Sequence, residues 1–417
     1  MRFSIFDICN TIDCFLWSFT MKVKNKFTIS NRLKAYLKYI ASIVIMNTLK
    51  IFWILPINKN RILFFSFDGK QYSDNPKYIS QYLHKRLPKK EIVWAFLEPE
   101  KFEYLEEIYH LVQRKGVQFI KEFVTAKIIV TNNHVPTYLP IRDKQILLNT
   151  WHGGSPLKTV GFSEKVPVFY NKFFYKMQNR KYSAFLSSSA FMTEEVFNNS
   201  FGYKGNVLDY GMPRNAILLG PHKEIINKVY KYFGIEQNNN CGIVLYAPTF
   251  RGDFRSSRFL PSKMQFDVEK CVECLNQKFK KKFKFLFRAH HTMSEAIEGN
   301  SVIMATDYPD MQELLCAADV LITDYSSCMG DIALMKKPTF LYAPDLESYI
   351  QNRGFYWDIR SLPFPLSQNQ NEFYNAINSF NQKRYEREVD KYLLRLGTYE
   401  SPDSVEKTVS WIINKLQ

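Results

Sequence analysis

Residues 146–158 read ILLNTWHGGSPLK, a short apolar run that ends in a turn containing one His and two Gly. Four or five apolar residues bounded by turn residues are typical of a buried β-strand. Ligands of parallel sheets lie beyond the carboxyl ends of the strands, which is where this turn falls. Glycine also lets the backbone approach a ligand closely. The stretch therefore predicts an α/β sheet with a binding site at the end of this strand.

Similar apolar runs lie on both sides of this stretch. They predict strands at 62–65, 92–97, 117–120, 128–131, 146–150, 185–187 and 207–210, with amphipathic helices at 78–87 and 103–114. After a polar break at 236–240, further runs predict strands at 243–247, 283–287, 302–304, 320–323 and 339–342. Alternating strands and helices favour parallel sheets with helices on both faces. We therefore expect an α/β protein with two doubly wound, Rossmann-like domains that face each other across a cleft.

The expected domain boundaries are 61–235 and 241–417, with the last helix free to cross back to the first domain. The chain has 417 residues, of which 46% are hydrophobic, so a disordered or collagen-like chain is excluded. Lys and Arg number 56 against 40 Asp and Glu, a net charge of +16. This excess indicates an anionic partner such as nucleic acid, an acidic membrane surface or a phosphate-rich substrate.

Half of the excess charge lies in residues 1–61, which hold ten Lys and Arg against Asp7 and Asp13. The two Asp interrupt the first apolar stretch, and the uncharged run at 39–49 is short for a spanning helix, which needs about 20 residues. We expect neither a secretory signal nor a spanning helix. Residues 1–60 instead predict a basic amphipathic segment that lies on an anionic membrane surface. The alternative is a helix packed on the first domain, with solvated lysines.

The sequence has no G-x-G-x-x-G motif, no P-loop and no Asp-x-Asp motif. Cys271 and Cys274 have the spacing of a metal-binding pair, but no second pair accompanies them. We therefore expect no resident metal and no cofactor.

His152 is the candidate catalytic residue of the opening stretch. Imidazole is the side chain best matched to proton transfer near neutral pH, and a position just after a strand directs it to the cleft. The alternative is a structural histidine in a capped turn.

Two turns in the second domain carry groups that suit a phosphate. Pro248, Thr249 and Arg251 follow the strand at 243–247, and Arg288 and His290 follow the strand at 283–287. Guanidinium and hydroxyl groups bind phosphate oxygens well, and Arg288 and His290 would share one side of an extended strand end. A plain turn and a basic strand end are the alternatives.

A third turn, at 324–331, reads DYSSCMGD and precedes an apolar helical run. Ser326 and Ser327 would begin that helix, where free N–H groups and hydroxyls can bind an anion. An ordinary helix cap is the alternative. In the first domain, the polar loop at 66–76 is where a second substrate could enter. The candidate acceptor-side residues of this loop are Asp68, Tyr72, Asp74 and Asn75.

Taken together, the turns resemble the CDP-glycerol glycerophosphotransferase family of teichoic acid primases and polymerases, from about residue 61 to the C-terminus. The motifs are YSDNP at 72–76, WHG at 151–153 with PLK at 156–158, GMPRN at 211–215, YAPTFR at 246–251, RAH at 288–290, TDYSS at 323–327, KP at 337–338 and RGFYWD at 353–358. The family's usual Trp-His-Gly-Thr-Pro turn has one extra residue here, and Ser155 is expected to replace the Thr hydroxyl.

The resemblance implies a GT-B fold and a metal-independent transfer of alditol phosphate from a CDP-alditol, with release of CMP. It implies His152 as the base and His290 as a second catalytic residue. The donor-binding residues that it implies are His152, Gly153, Gly154, Ser155, Pro156, Arg214, Pro248, Thr249, Arg288, Ala289, His290, Ser326, Ser327 and Asp331. The acceptor would be a lipid-linked saccharide or a growing surface polymer. The enzyme would bind peripherally to the cytoplasmic face of a bacterial membrane.

The chemistry of the residues is compatible with this reaction. The acceptor hydroxyl loses a proton as it attacks the distal phosphorus, and His152 could accept that proton. Arg214, Arg288, His290 and the helix start could stabilise the charge on the phosphoryl group and the leaving CMP.

Two other interpretations stay open. One is a GT-B glycosyltransferase that uses a nucleotide sugar, since one fold hosts many functions. The other is a non-catalytic module that binds nucleic acid or membranes. No nucleic-acid partner is expected, because helix-turn-helix, RNP and zinc signatures are missing.

Overall fold

The computed structural model describes residues 31–165, 169–238, 240–249, 267–288 and 301–416. The predictions for residues 1–30, Arg251, Ala289 and His290 therefore concern positions outside the described residues.

A seven-stranded sheet forms the first half of the molecule. Its strands are β1 (Asn58–Phe65), β2 (Glu91–Phe96), β3 (His110–Gln113), β4 (Ala126–Thr131), β5 (Ile146–Asn149), β6 (Ala184–Leu186) and β7 (Val207–Leu208). They lie in the order β3-β2-β1-β4-β5-β6-β7, and every pairing is parallel. This order, which reverses direction beside β1, is that of a doubly wound sheet.

A six-stranded sheet forms the second half. Its strands are β8 (Cys241–Tyr246), β9 (Lys282–Phe287), β10 (Val302–Met304), β11 (Val320–Thr323), β12 (Thr339–Tyr342) and β13 (Leu366–Ser367). The order β10-β9-β8-β11-β12-β13 is again parallel throughout. The predicted α/β class with two doubly wound parallel sheets is confirmed.

Helices connect the strands and cover the sheets. The α-helices are α1 (Asn31–Leu49), α2 (Asp74–Arg86), α3 (Gly116–Thr125), α4 (Phe169–Gln178), α5 (Lys223–Tyr232), α6 (Val268–Phe279), α7 (Met311–Ala317), α8 (Cys328–Ala333), α9 (Leu346–Asn352), α10 (Gln370–Ser379), α11 (Gln382–Leu396) and α12 (Ser404–Leu416). Met192–Ser200 is a π-helix. Short 3₁₀ helices occur at Lys50–Ile54, Phe67–Gly69, Pro99–Leu105, Gly161–Ser163, Pro213–Leu218 and Ile359–Ser361.

The last helix completes the core of the first sheet. Strand side chains alternate between faces, so Ile62 and Phe64 pack on one side of β1 and Leu63 packs on the other. Val409 and Ile412 of α12 are fully buried in the same cluster as Ile62 and Phe64. Thus α12 packs on the first sheet although it follows the second sheet in the chain.

The chain crosses between the two halves just before α12. Gly397 ends α11 with a φ of +61°, a conformation that glycine adopts without strain. The Gly397 carbonyl accepts a hydrogen bond from the Ala190 N–H at 2.9 Å, and the Tyr399 N–H donates to the Ser188 carbonyl at 2.7 Å. These backbone bonds fix the crossing segment to the end of the first sheet.

Two predicted elements are wrong. The strand predicted at 117–120 is part of α3, whose Phe119 and Phe123 lie one helical turn apart and are both buried. The helix predicted at 103–114 is the 3₁₀ helix Pro99–Leu105 followed by β3. The spacing of apolar residues favours a helix there, but pairing with β2 draws the segment into the sheet. The two-residue strand β13 gives too little pattern to predict.

Helix α1 packs one face on the first domain. Its Ala35 and Leu49 are buried, the Ser42 and Thr137 hydroxyls are 2.9 Å apart, and the Tyr39 ring contacts another aromatic ring on α4. By length and composition alone, Arg32–Ile54 is long and apolar enough to cross a membrane, as are some core helices and signal sequences. The stretch is longer than the uncharged run at 39–49 because the helix continues past Lys38 and Lys50. The expectation of a segment that lies on the membrane without spanning it stays a prediction.

Candidate active site between the two sheets

His152 lies just beyond the end of β5, beside the end of β4. Trp151 has a φ of +54°, an unfavourable conformation for a side chain of this size, and it turns the chain sharply after the strand. The His152 Nδ1 atom lies 2.9 Å from the Asn132 carbonyl oxygen. A carbonyl oxygen only accepts hydrogen bonds, so Nδ1 carries the proton and Nε2 keeps its lone pair. Burial lowers the pKa of His152 below 6.5, which keeps the ring neutral at pH 7.

The Asn132 side chain organises the loop in front of His152. Its Nδ2 donates to Asp74 Oδ2 at 2.6 Å and to Ser66 Oγ at 3.1 Å, and its Oδ1 accepts from the Phe67 N–H at 2.8 Å. The Phe67 ring meets the His152 ring edge-on, with centroids 5.7 Å apart. One amide therefore ties three residues of the loop to the end of β4.

The loop itself has an unusual backbone. Phe67, Asp68 and Gly69 have consecutive φ values of +46°, +58° and +87°. A Cβ at Gly69 would lie within 3 Å of Arg114 side-chain atoms, so glycine is required there. Arg114 also pairs with Asp68 at 2.7 Å. Strain of this kind persists only where surrounding contacts hold it, and it is common at functional sites.

Arg214 connects the His152 turn to both halves of the molecule. Its Nη1 donates to the His152 carbonyl at 2.8 Å and to Asp74 Oδ1 at 3.1 Å, and its Nη2 donates to Asp331 Oδ2 at 2.9 Å. Burial alone would lower the pKa of Arg214, but the Asp331 and Asp74 carboxylates raise it above its ordinary value. Arg214 and Asp331, both predicted donor ligands, are thus buried against protein groups, and their role as ligands stays a prediction.

Three of the four predicted acceptor-side residues are buried rather than lining an open surface. Tyr72 packs with its hydroxyl 3.3 Å from that of Tyr109. Asp74 binds Arg214, and Asn75 donates to the carbonyls of Thr150 and Trp151. Asp68 is the exposed member, with about half of its side chain accessible (56%). Tyr72, Asp74 and Asn75 therefore support the site from within.

The predicted turns of the second sheet lie opposite the His152 turn. A Cβ at Gly153 would come within 3.9 Å of Ser327 Oγ, and Ser155 packs directly on Gly330 of α8. The Thr249 N–H donates to Asp324 Oδ1 at 2.8 Å, which joins the ends of β8 and β11. The structure therefore brings the turns after β5, β8 and β11 together. The predicted ligand Pro156 follows Ser155 in the turn after β5.

Arg288 lies at the same edge, directly after β9. Its Nη1 donates to the Tyr308 carbonyl at 2.6 Å, and burial lowers the pKa of its guanidinium. Two motifs that are distant in sequence also meet here. The Thr159 N–H donates to the Gly354 carbonyl, and the Tyr356 N–H donates to the Leu157 carbonyl. The 353–358 segment thus packs along the end of the His152 turn.

Sequence reasoning missed several polar residues behind the site. Asn132 directly follows a predicted strand, so the strand-end rule could have identified it. Glu400 gives no such signal, since it lies in the crossing segment and binds the Met212 N–H at 2.9 Å and the Asn215 amide at 3.0 Å. Burial raises the pKa of Glu400 to about 8. Within the described ranges, His, Cys, Asp and Glu form no group of three or more that could hold a metal ion.

Comparisons with known proteins agree with this arrangement. A sequence profile described as CDP-Glycerol:Poly(glycerophosphate) glycerophosphotransferase matches residues 47–414. The teichoic acid poly(glycerol phosphate) polymerase of Bacillus spizizenii is 29% identical, over 87% of this chain and 94% of that protein. The teichoic acid glycerol-phosphate transferase of Staphylococcus aureus is 30% identical, over 81% of this chain and 88% of that protein.

A solved structure gives the same picture. The wall teichoic acid polymerase TagF superposes with a TM-score of 0.77 at 25% identity, over 94% of this chain and 99% of that one. This similarity confirms the expected GT-B-like arrangement of two Rossmann-like sheets. With the profile match spanning most of its residues, the chain belongs to the CDP-glycerol:poly(glycerophosphate) glycerophosphotransferase family.

Proposed function

We propose that this protein transfers an alditol phosphate from a CDP-alditol to a hydroxyl of a lipid-linked or growing teichoic acid polymer. We favour glycerol phosphate as the transferred group. We include a phosphate-containing capsule polymer in this proposal as a related product. The observation that carries the proposal is the His152 imidazole, whose Nδ1 is bound by the Asn132 carbonyl and whose Nε2 can accept a proton. The names of the two relatives described above support glycerol phosphate over ribitol phosphate as the transferred group.

The reaction is an in-line displacement at phosphorus. The acceptor hydroxyl gives its proton to Nε2 of His152 while its oxygen forms a bond to the phosphorus that carries the alditol. The bond between this phosphorus and the bridging oxygen breaks, and CMP leaves with the electron pair. The product is a phosphodiester that lengthens the acceptor by one alditol phosphate, and the imidazolium afterwards releases its proton to solvent.

The charge of the donor needs fixed hydrogen-bond donors and cations. Arg288 and the hydroxyls of Ser326 and Ser327 lie at the strand ends that face the His152 turn, which supports their role in binding the diphosphate. His290 stays a predicted second catalytic residue. We propose that these groups act without a resident metal or cofactor, and we expect activity to survive dialysis against EDTA.

The experiment that tests the reaction is CMP release with CDP-glycerol and CDP-ribitol offered separately, together with a prenyl-diphosphate-linked acceptor. We expect release from CDP-glycerol, and a decrease in kcat of about 10²- to 10⁴-fold in His152→Ala. Circular dichroism and thermal unfolding of the variant serve as the folding control. Turnover of a UDP- or GDP-sugar without CMP release would instead support the nucleotide-sugar glycosyltransferase.

We also propose that the protein binds peripherally to the cytoplasmic face of the bacterial membrane through α1. Leu33, Ile40, Val44 and Ile51 are exposed on one face of the Arg32–Ile54 stretch, which is opposite to the packing with the first domain. Lysines on the same helix suit an anionic headgroup layer.

Substitutions test membrane binding better than deletion, because Leu49 of α1 is part of the first core. Ile40→Asn with Val44→Asn should reduce sedimentation with phosphatidylglycerol vesicles several-fold. Leu394→Asn removes a leucine from α11 that is more exposed than either residue, and it is the control. Unchanged sedimentation of the α1 variant would contradict the proposal.

A further inference from the structure

A groove of about 900 Å³ lies on the outer side of the second half of the molecule, apart from the residues assigned to donor binding. One wall is helix α11 and the other is the segment at 360–368, with part of α10 at one end. Its lining includes Arg360, Phe364, Arg384, Tyr385, Tyr392 and Arg395.

The wall formed by α11 presents a row of cations. Arg384, Lys391 and Arg395 are separated by seven and four residues, so they lie on one face of the helix and span about 16 Å along its axis. Of these, Lys391 is paired with Glu388 at 2.8 Å. Arg360, on the opposite wall, is paired with Glu347 at 2.5 Å. With Arg360 and Glu372 included, the groove lining has four cations against two carboxylates.

The floor of the groove is aromatic and buried. The rings of Phe364 and Tyr392 have centroids 5.7 Å apart, and Tyr385 lies next to them. Their side chains are buried, so their ring faces are not open to stack with bases. Stacking surfaces are what single-stranded nucleic acid requires, whereas a chain of phosphates joined by short polyols needs only cations at intervals and a shallow channel.

The groove also reaches the site from behind. Tyr392 lines the groove and hydrogen-bonds to Ser155 in the His152 turn. Arg395 stacks on the Trp357 ring at 4.0 Å, in the 353–358 segment that packs along that turn. The row of cations therefore leads from the outer end of α11 to the junction of the two sheets.

We propose that this groove is a second binding site for the acceptor, which holds the phosphate-bearing backbone of a poly(alditol phosphate) away from the point of transfer. The identity of the acceptor rests on the proposed function, while the binding site itself rests on the charges and shape of the groove. A second binding site of this kind predicts that long acceptors bind more tightly than acceptors with a single alditol phosphate.

The test compares two double variants with the same change in charge. Arg384→Gln with Lys391→Gln removes two cations from the groove, and Arg395 is left in place because it stacks on Trp357. Lys383→Gln with Arg387→Gln removes two exposed cations from another face of α11, outside the groove. Binding of a synthetic poly(glycerol phosphate) of about ten units is measured by fluorescence anisotropy at fixed salt, because phosphate contacts are salt-dependent.

We expect the groove variant to bind the long polymer at least tenfold more weakly and the control variant to remain within twofold of wild type. In transfer assays, the groove variant should raise KM for the long acceptor while leaving kcat and the KM for a one-unit acceptor unchanged. Equal losses in both variants, or none in either, would overturn the proposal. The proposal would also be overturned if the wild-type protein bound single-stranded DNA as tightly as the polymer and the groove variant lost that binding too.

The two proposals fail separately. If no CDP-alditol supports transfer, the binding measurement still decides whether the groove holds the polymer. If transfer proceeds but the groove variant binds the long polymer normally, the groove proposal fails and the proposed reaction stands.

Discussion

At His152, a backbone carbonyl rather than a carboxylate selects the imidazole nitrogen that can accept a proton. A carboxylate partner would raise the pKa of the ring, whereas the neutral carbonyl leaves burial as the dominant effect, and burial lowers it. The ring is therefore a neutral base across the physiological range. In the proposed reaction, burial keeps the base in its active form, and the nearby Asp74 carboxylate, which raises the pKa of the ring, is paired with Arg214.

The pH dependence follows from this pKa. In the proposed reaction the free imidazole is the active form, and its pKa is lowered. We therefore expect kcat/KM to reach its plateau at a lower pH than an ordinary imidazole would give, and to fall tenfold per pH unit once the pH drops below the lowered pKa. The measurement is kcat/KM for CDP-glycerol between pH 5 and 8. An acid limb with a midpoint above 6.5 would exclude the neutral, buried His152 as the base.

At the scale of elements, the unfavourable backbone conformation of the loop after β1 is held in part by one amide, beside the Arg114–Asp68 pair. Asn132 lies at the end of β4, and its side chain makes hydrogen bonds to Ser66, Phe67 and Asp74. Parallel pairing of β4 with β1 and β5 brings these three strand ends together. Parallel pairing thus lets a side chain at the end of one strand position the proposed base, His152, which follows the next strand.

Asn132→Ala should reduce kcat at least tenfold with little change in the KM for CDP-glycerol, because the loop that packs on His152 loses its attachment. The backbone carbonyl that binds Nδ1 remains, so the base itself is kept. Asn133→Ala, one residue further along the chain, is the matched control and should retain activity. If kcat is unchanged while thermal stability falls, Asn132 has only a structural role.

The strand-end rule predicts a large part of the site. Strands at the centres of the sheets are recognisable in the sequence as local apolar runs. The positions of the turns after them, which carry His152, Thr249, Arg288 and Ser326, can therefore be predicted from the sequence alone. The domain boundaries at 61–235 and 241–417, and the ligand roles of these turns, stay predictions. Edge elements such as β3 were missed because their few residues carry a pattern that suits a helix equally well.

The buried polar network lay beyond such reasoning. From the sequence, Arg214 is predicted to be a phosphate ligand. In the fold, Asp74 and Asp331 contact its guanidinium, and each lies more than a hundred residues away along the chain. Glu400 and Asn132 acquire their partners in the same way. Pairing between distant segments is a property of the tertiary structure, and a local pattern does not encode it.

At the scale of the whole molecule, a buried ionic contact joins the two halves near the site. Lys77 of α2 contacts Asp310, which caps α7, with the Lys77 nitrogen 2.5 Å from Oδ2, and Tyr78 donates to the same carboxylate at 2.8 Å. Glu313 lies 3.5 Å from the Lys77 nitrogen. Both main partners are buried, so this contact is screened very little by solvent.

Lys77→Met should lower the free energy of unfolding by about 3 kcal/mol, because it leaves the Asp310 charge buried without its cation. Adding Asp310→Asn removes that charge while keeping the cap on α7, so the double variant should recover part of the loss. Urea unfolding of wild type, both single variants and the double variant checks this. A double variant no more stable than Lys77→Met would show that the buried charge is not the cause.

The position of α12 on the first sheet has a consequence for how the protein is made. A ribosome releases the strands of the first sheet early, but Val409 and Ile412, which cover Ile62 and Phe64, emerge only after the entire second sheet has been translated. Nascent chains therefore carry an uncovered apolar face until α12 has been translated, and such faces are prone to aggregation. The two halves consequently reach their final packing together, and a chain that stops before α12 leaves one face of the first sheet uncovered.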